Sequence, residues 1–410
     1  MQPENPDRPS ADGADPVVGG PVVDGPAGDG RGAGGPIVAG VDGIDGGRDE
    51  PEGQRRTGRS GWSGLSRRVR TLLVAGPLFV VLLVLAATVP VPYVILSPGP
   101  TYNTLGSYQD NGAQQDIIVI NGRDTNTVTG NLNMTTVSVT TGHITAAQAL
   151  VGWLKGDETV VPRASVYPPG QSEAQVNAQN TQAFAESQDS ATAAALCELG
   201  YPNGFGVVRV DPTLGANGVL RPGDMIVSID GASADSADKL SALLTKATPG
   251  QVVTVGVTRD GQAQSLSIKL SPPAAGATGA RLGITVTTGC LAPFEVDLGL
   301  GDQIGGPSAG LMFALGIMDK VGPTDITGGR FIAGTGEITA DGKVLPIGGI
   351  QLKMIAARRA GATVFLAPQA NCSDVRGAIP RGLDVISVAT LHDAVTDLAN
   401  LRAGAPVPHC

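Results

Sequence analysis

The sequence predicts a multidomain α+β chain carried behind a single N-terminal transmembrane helix. Three observations predict it. The chain has 410 residues, more than one ordinary domain uses, so two or three folded units are expected. One uncharged run, "TLLVAGPLFVVLLVLAATV" at 71–89, is long enough to cross the roughly 30 Å core of a bilayer as a helix. Beyond it, strand-like and helix-like stretches alternate on both sides of the Pro/Gly/Ala segment "SPPAAGATGA" at 271–280.

Residues 1–66 are rich in Gly, Pro and Asp. Such a segment cannot bury enough apolar surface to offset its ordering entropy, so it reads as a disordered cytoplasmic tail. Residues 67–90 read as the anchor with its basic flank. A core helix rarely stays apolar on every face for this length. A cleavable signal peptide is the closer rival, because "VLAAT" offers small residues to a peptidase, but the preceding tail is far longer than a normal n-region. Arg55, Arg56, Arg59, Arg67, Arg68 and Arg70 precede the run, and the first basic residue after it is Arg123. The positive-inside bias therefore puts the N-terminus in the cytoplasm and the rest outside the cell membrane.

That orientation changes how the cysteines read. Cys197, Cys290, Cys372 and Cys410 all follow the run, and an even number in an oxidising compartment makes disulfides plausible, their pairing left open. No C-x-x-C spacing supports a zinc site, so no metal is expected. The net charge of −9 and the 3% aromatic content argue against nucleic acid as a partner.

Residues 91–195 read as β-rich and then helical. "DIIVI" and "NLNMTTVSVTT" are strands, and helices are expected at 144–154 and 172–199. Residues 196–272 contain a strand, a glycine turn, "LRPGDMIVSIDG", a helix at 236–245 and two more strands. The stretch from Gly218 to Gly231 resembles a bacterial PDZ domain, in which an L-x-x-G-D-x-I turn feeds a strand ending in an Asp-Gly hairpin. The resemblance implies that the following helix walls a groove for peptides bound by strand addition. Gly204, Phe205, Gly206 and Val207 mimic the loop that holds a peptide carboxylate, and they are the candidate peptide-binding residues. Residues 273–280 read as a linker. Residues 281–402 form a third unit, from "RLGITVTT" to a helix at 390–401, large enough for its own core. Residues 403–410 are a C-terminal tail.

The chemistry-bearing stretch is "IGGPSAGLMFALGIMDK", where a Gly-Pro turn delivers Ser308 to the start of an apolar helix. A serine hydroxyl needs an adjacent base at neutral pH. His143, His392 and His409 lie in no Ser-His-Asp context, and H-E-x-x-H is absent. Lys353, in "VLPIGGIQLKMIAARRAGA", shares a helical face with Ala356, Ala357 and Ala360 near a helix N-terminus. Burial and the helix dipole both disfavour its ammonium form, leaving the neutral amine a base requires.

"GPSAG" followed by "GxVxPIGGIxxK" resembles the proteolytic domain of Lon-type serine peptidases over roughly 281–401. The resemblance implies that Ser308 is the nucleophile, that Lys353 is the general base, and that Thr335 in "GTGEI" bonds the lysine amine. It also implies an oxyanion hole from backbone around Gly306, Pro307 and Ala309, with proline contributing no N–H. Two departures accompany it. Gly305 stands where Lon proteases usually carry an acidic residue, and no G-x-x-x-x-G-K-[ST] phosphate loop occurs, so no ATP and no other cofactor is implied. The whole order is similar to that of the membrane-anchored PDZ–Lon proteins of Gram-positive bacteria (the YlbL family). The expected function is an ATP-independent, membrane-tethered Ser-Lys endopeptidase acting on unfolded or extended polypeptides, with homo-oligomers a family expectation. The alternative is a non-catalytic adaptor whose PDZ groove presents substrates to another protease.

Overall fold

The apolar run is helical, and so are Arg67, Arg68 and Arg70 in front of it. The computed structural model describes residues 66–410 apart from 111 and 301–303, so the expected disordered tail lies outside the described residues. Helix α1, Arg67–Thr88, opens on Ser66, whose hydroxyl accepts the Val69 N–H. Its segment Thr71–Thr88 is long and apolar enough to cross a membrane, and none of it is buried against protein.

From Thr88 the chain enters β1 (Pro90–Val91) and β2 (Tyr93–Asn103), followed by β3 (Asn131–Val139), β4 (Ile144–Thr145), α2 (Ala146–Leu154), β5 (Thr159–Pro162) and α3 (Glu173–Glu198). Both helices start on reciprocal caps, Thr145 with Gln148 and Ser172 with Gln175. Next come β6 (Asn203–Val210), β7 (Met225–Ile229), α4 (Ala237–Lys246), β8 (Val252–Arg259), β9 (Gln262–Lys269) and β10 (Ile284–Cys290). The C-terminal part supplies α5 (Gly310–Val321), β11 (Phe331–Gly334), β12 (Glu337–Ile338), β13 (Val344–Leu345), α6 (Ile350–Ala360), β14 (Val364–Pro368), β15 (Asp384–Val388) and α7 (Leu391–Ala403).

The strands assemble into two main sheets, and their membership departs from the sequence boundaries. One sheet has the order β15-β14-β11-β3-β2-β5. It is parallel from β15 to β3 and antiparallel at β2 and β5. Strands from before and after the PDZ-like segment therefore share one sheet, and α3 packs on α5 within the same core. The expected units 91–195 and 281–402 divide a single body, because β11 finds its parallel neighbour in β3.

The second sheet, β9-β8-β7-β6-β10, is the PDZ-like lobe with α4. Its edge strand β10 is the "RLGITVTT" stretch expected to open the third unit. Leu282 and Ala280 are buried in this lobe's core, and Ser271 and Arg281 bridge the base of the 272–280 loop. That loop is thus an excursion within the lobe, and the expected interdomain linker is corrected accordingly. The 403–410 tail is also held, since His409 bridges to Ile386 and Ser387 donates its N–H to the Pro408 carbonyl.

Two disulfides close the structure, Cys197–Cys290 and Cys372–Cys410. The first joins the end of α3 to the end of β10, stapling the two chain crossings that lead into and out of the PDZ-like lobe.

Candidate active site

The serine turn is built by the first residues of α5 and by α3. Every residue of α5 is buried, so its start has one position available. Gly306 has φ +85°, a conformation that suits glycine, and its N–H donates to the Asn180 carbonyl of α3. The Ser187 hydroxyl of α3 donates to the Pro307 carbonyl at 2.7 Å. A Cβ on Gly310 would come within 2.8 Å of Ser187 Oγ, so glycine there permits the close approach of α3. Helix α5 begins at Gly310 with Ala309 as N-cap, which leaves Ser308 one residue before the cap. Ser308 is therefore not the cap. Its carbonyl accepts from the Gly336 N–H at 2.8 Å and the Thr335 hydroxyl at 2.9 Å, which ties the turn to the end of β11.

The lysine arrives from α6, which starts on Gly349 in the left-handed conformation. Lys353 is buried, 3% exposed, and its Nζ lies 2.7 Å from Ser308 Oγ and 3.0 Å from Thr335 Oγ1. Burial pushes its amine down to about 7. No carboxylate pairs with it among the described residues. Ala356 and Ala357 are buried beside it, whereas Ala360 is exposed, so the small apolar face is one turn shorter than its period suggests. Around physiological pH a large share of this amine is neutral and can accept the proton of the hydroxyl it touches. Thr335 donates its hydroxyl proton to the Ser308 carbonyl, so its oxygen presents a lone pair to the amine and orients it.

Serine and lysine open into a cavity of about 990 Å³. Leu96, Val137, Val139, Val161 and Val176 give it an apolar lining, and Glu337 also lines it, its carboxyl raised by burial. Among the described residues the N–H groups of Ser308 and Ala309 make no backbone hydrogen bond, and they lie at the positive end of α5. Gly305 leaves the serine–lysine contact intact without an acidic side chain at that position.

The structure brings Ser308, Lys353, Thr335, Gly306, Pro307 and Ala309 together. It does not bring the histidines in. His392 is exposed beside Glu198, and His409 lies beside Asp384. The candidate carboxylate loop is corrected. Gly204, Phe205, Gly206 and Val207 lie within β6, which is paired on both sides by β7 and β10, and Phe205 and Val207 are in the lobe's core. A strand with both edges occupied cannot accept another. Of the sheet's two edge strands, β10 is the one beside α4, where a depression of about 530 Å³ runs between Val286 and the α4 residues Leu240 and Leu244. Sequence reasoning also missed Asn180 and Ser187. The one available signal was small residues recurring along an otherwise polar helix: Ser187 approaches Gly310, Ala191 and Ala194 are buried in the core shared with α5, and Ala183 lines the cavity.

Comparison with known families agrees with this geometry. Residues 303–400 match the Lon protease (S16) C-terminal proteolytic domain, and residues 185–270 match a PDZ domain. The chain carries a Lon-type proteolytic domain and a PDZ domain. Similar proteins include the Lon protease of Roseiflexus castenholzii, 48% identical over 71 residues, covering 17% of this chain and 9% of that one. The Lon protease of Chloroflexus aggregans is 37% identical over 103 residues, 24% of this chain and 12% of the relative. The chain thus spans about a tenth of the length of these relatives. Among solved structures, the PDZ domain of the SdrC-like protein from Listeria monocytogenes shares 26% identity, covering 21% of this chain and 90% of that one, with a TM-score of 0.20. The C-terminal match falls on the body that holds Ser308 and Lys353, and the PDZ domain is inserted between the strands of its sheet.

Proposed function

We propose that the protein is a membrane-tethered, ATP-independent serine endopeptidase facing outward, with Ser308 and Lys353 as its catalytic dyad. The observation that carries this is the 2.7 Å approach to the serine hydroxyl of a buried amine that desolvation pushes down to about 7. Ser308 Oγ attacks the scissile carbonyl carbon while its proton passes to Lys353 Nζ. The oxyanion forms against the Ser308 and Ala309 N–H groups at the head of α5. Lys353 returns the proton to the leaving amine, the C–N bond breaks, and an acyl-serine remains. Water then attacks that ester with Lys353 again as base, releasing the carboxylate and restoring the hydroxyl. Thr335 keeps the amine aimed.

The apolar run Thr71–Thr88 supports the tether, and two formed disulfides support an oxidising, extracytoplasmic compartment. The sequence contains no phosphate loop, so substrates must already be unfolded or extended. The PDZ domain would capture such segments by adding them to the free edge of β10 beside α4. Incubating the full chain in lipid vesicles with an unstructured protein tests the reading. Cleavage by the wild type and none by Ser308→Ala is expected; equal cleavage by both would end the proposal.

A further inference from the structure

Helix α2 exposes an apolar surface that no part of the described chain covers. Leu150 is 56% exposed, Val151 53%, Trp153 73% and Leu154 69%. Four large apolar side chains on one helix of nine residues form a contiguous patch of the kind that marks a contact surface. The opposite face is spoken for. A Cβ on Gly152 would meet Ile95 and Val160 at 3.2 and 3.3 Å, so α2 lies tightly on β2 and β5.

The position of the patch identifies what covers it. β1 follows α1 within two residues and is hydrogen-bonded to β4, and β4 runs directly into α2. Helices α1 and α2 touch. The apolar surface of α2 is therefore continuous with the outer end of the segment apolar enough to span a bilayer. Tryptophan is the residue type enriched at the boundary between acyl chains and headgroups. Lys155, at the C-terminal end of the helix, is exposed and suited to the headgroup layer.

We propose that α2 lies in the outer interface of the bilayer that α1 spans, forming a second membrane contact that orients the peptidase. This rests on the tethered reading given above. The consequence follows from strand alternation. Ile95 and Val160 face α2, whereas their neighbours Leu96 and Val161 line the catalytic cavity. The cavity thus sits on the other face of the same sheet at the same height, on the order of 10 Å beyond α2. A helix fixed in the interface holds the catalytic groove near the lipid surface, where α1 alone would let it swing.

The test uses the two tryptophans of the chain, Trp62 and Trp153. Full-length protein carrying Trp62→Phe is reconstituted into phosphatidylcholine–phosphatidylglycerol vesicles containing shallow-brominated phosphatidylcholine. Flotation with the vesicles and at least about twofold quenching of Trp153 are expected for a ring within about 5–10 Å of the headgroup–acyl boundary. Adding Leu150→Asp and Leu154→Asp should abolish the quenching and leave flotation and cleavage of a soluble unstructured protein unchanged. Flotation with unquenched, solvent-exposed Trp153 overturns the proposal and spares the tether. Flotation with blue-shifted but unquenched emission overturns it in favour of a protein surface, such as a second copy. Failure to float removes tether and proposal together.

Discussion

At the scale of single residues, the proposed chemistry depends on how far burial displaces one amine. Lys353 falls to about 7 because its ammonium is desolvated, with no carboxylate to hold it up. The base must be neutral, so kcat/KM should rise with pH through about 7 and level off above it. A rate that falls across that range would contradict the assignment. Lys353→Met should lower kcat/KM by about 10²–10⁴-fold, the usual contribution of a general base. The same variant should leave the fold as stable or more so, since an apolar side chain of similar length replaces a poorly solvated amine. Thr335 acts through the lysine. Its oxygen accepts from the amine, which favours the protonated form slightly, so Thr335→Val should move the pH midpoint downward. A loss in kcat of about fivefold should accompany the shift, in line with the roughly 1 kcal/mol of one buried hydrogen bond. A fall in rate with no movement of the midpoint would make Thr335 merely structural.

At the scale of elements, α3 is the brace of the serine turn. Ser187 satisfies the Pro307 carbonyl and Asn180 receives the Gly306 N–H, while Phe184 meets Phe313 edge-on at 5.8 Å between ring centroids. Ser187→Val should cost about 1–3 kcal/mol, because it removes the shorter of the two hydrogen bonds to the half-buried Pro307 carbonyl, leaving only the 3.4 Å bond from the Gly310 N–H, and crowds Gly310. Thermal unfolding and kcat should both report it, and unchanged values in both would mean that the turn stands without α3. The serine and lysine motifs could be read from the sequence because each is local. One is a turn before an apolar helix, and the other a glycine turn before a helix with a small face. The brace could not be read, because α3 is polar along most of its length and lies more than a hundred residues away from the turn it supports.

At the scale of the whole molecule, the peptidase sheet is interrupted by the PDZ domain and the Cys197–Cys290 bond closes the neck. Replacing both cysteines by alanine should destabilise the protein by about 2–4 kcal/mol, as expected for a bond closing a long loop. Thermal melts of the double variant check this. Peptide binding at β10 should survive, because the lobe has its own core. An unchanged melting temperature would make the neck self-supporting. The correction at Gly204–Val207 belongs to this scale too. A glycine-hydrophobic pattern is compatible with a carboxylate loop or with a strand, and only the pairing of β6 on both edges decides between them.

By itself the sequence determined the apolar span, the helices at 144–154 and 172–199, and the serine and lysine stretches, while the PDZ-like module was legible through a motif resemblance. The span, helices and stretches are written in composition, short-range periodicity or spacing within a few turns. Tertiary structure alone decided that β3 joins β11, that β10 closes the PDZ sheet, which cysteines pair, and which face of α2 stays bare. Strand partnership and helix docking are set by contacts between residues far apart in the chain. A strand's own pattern states that it has a buried face, but not which distant strand will lie beside it.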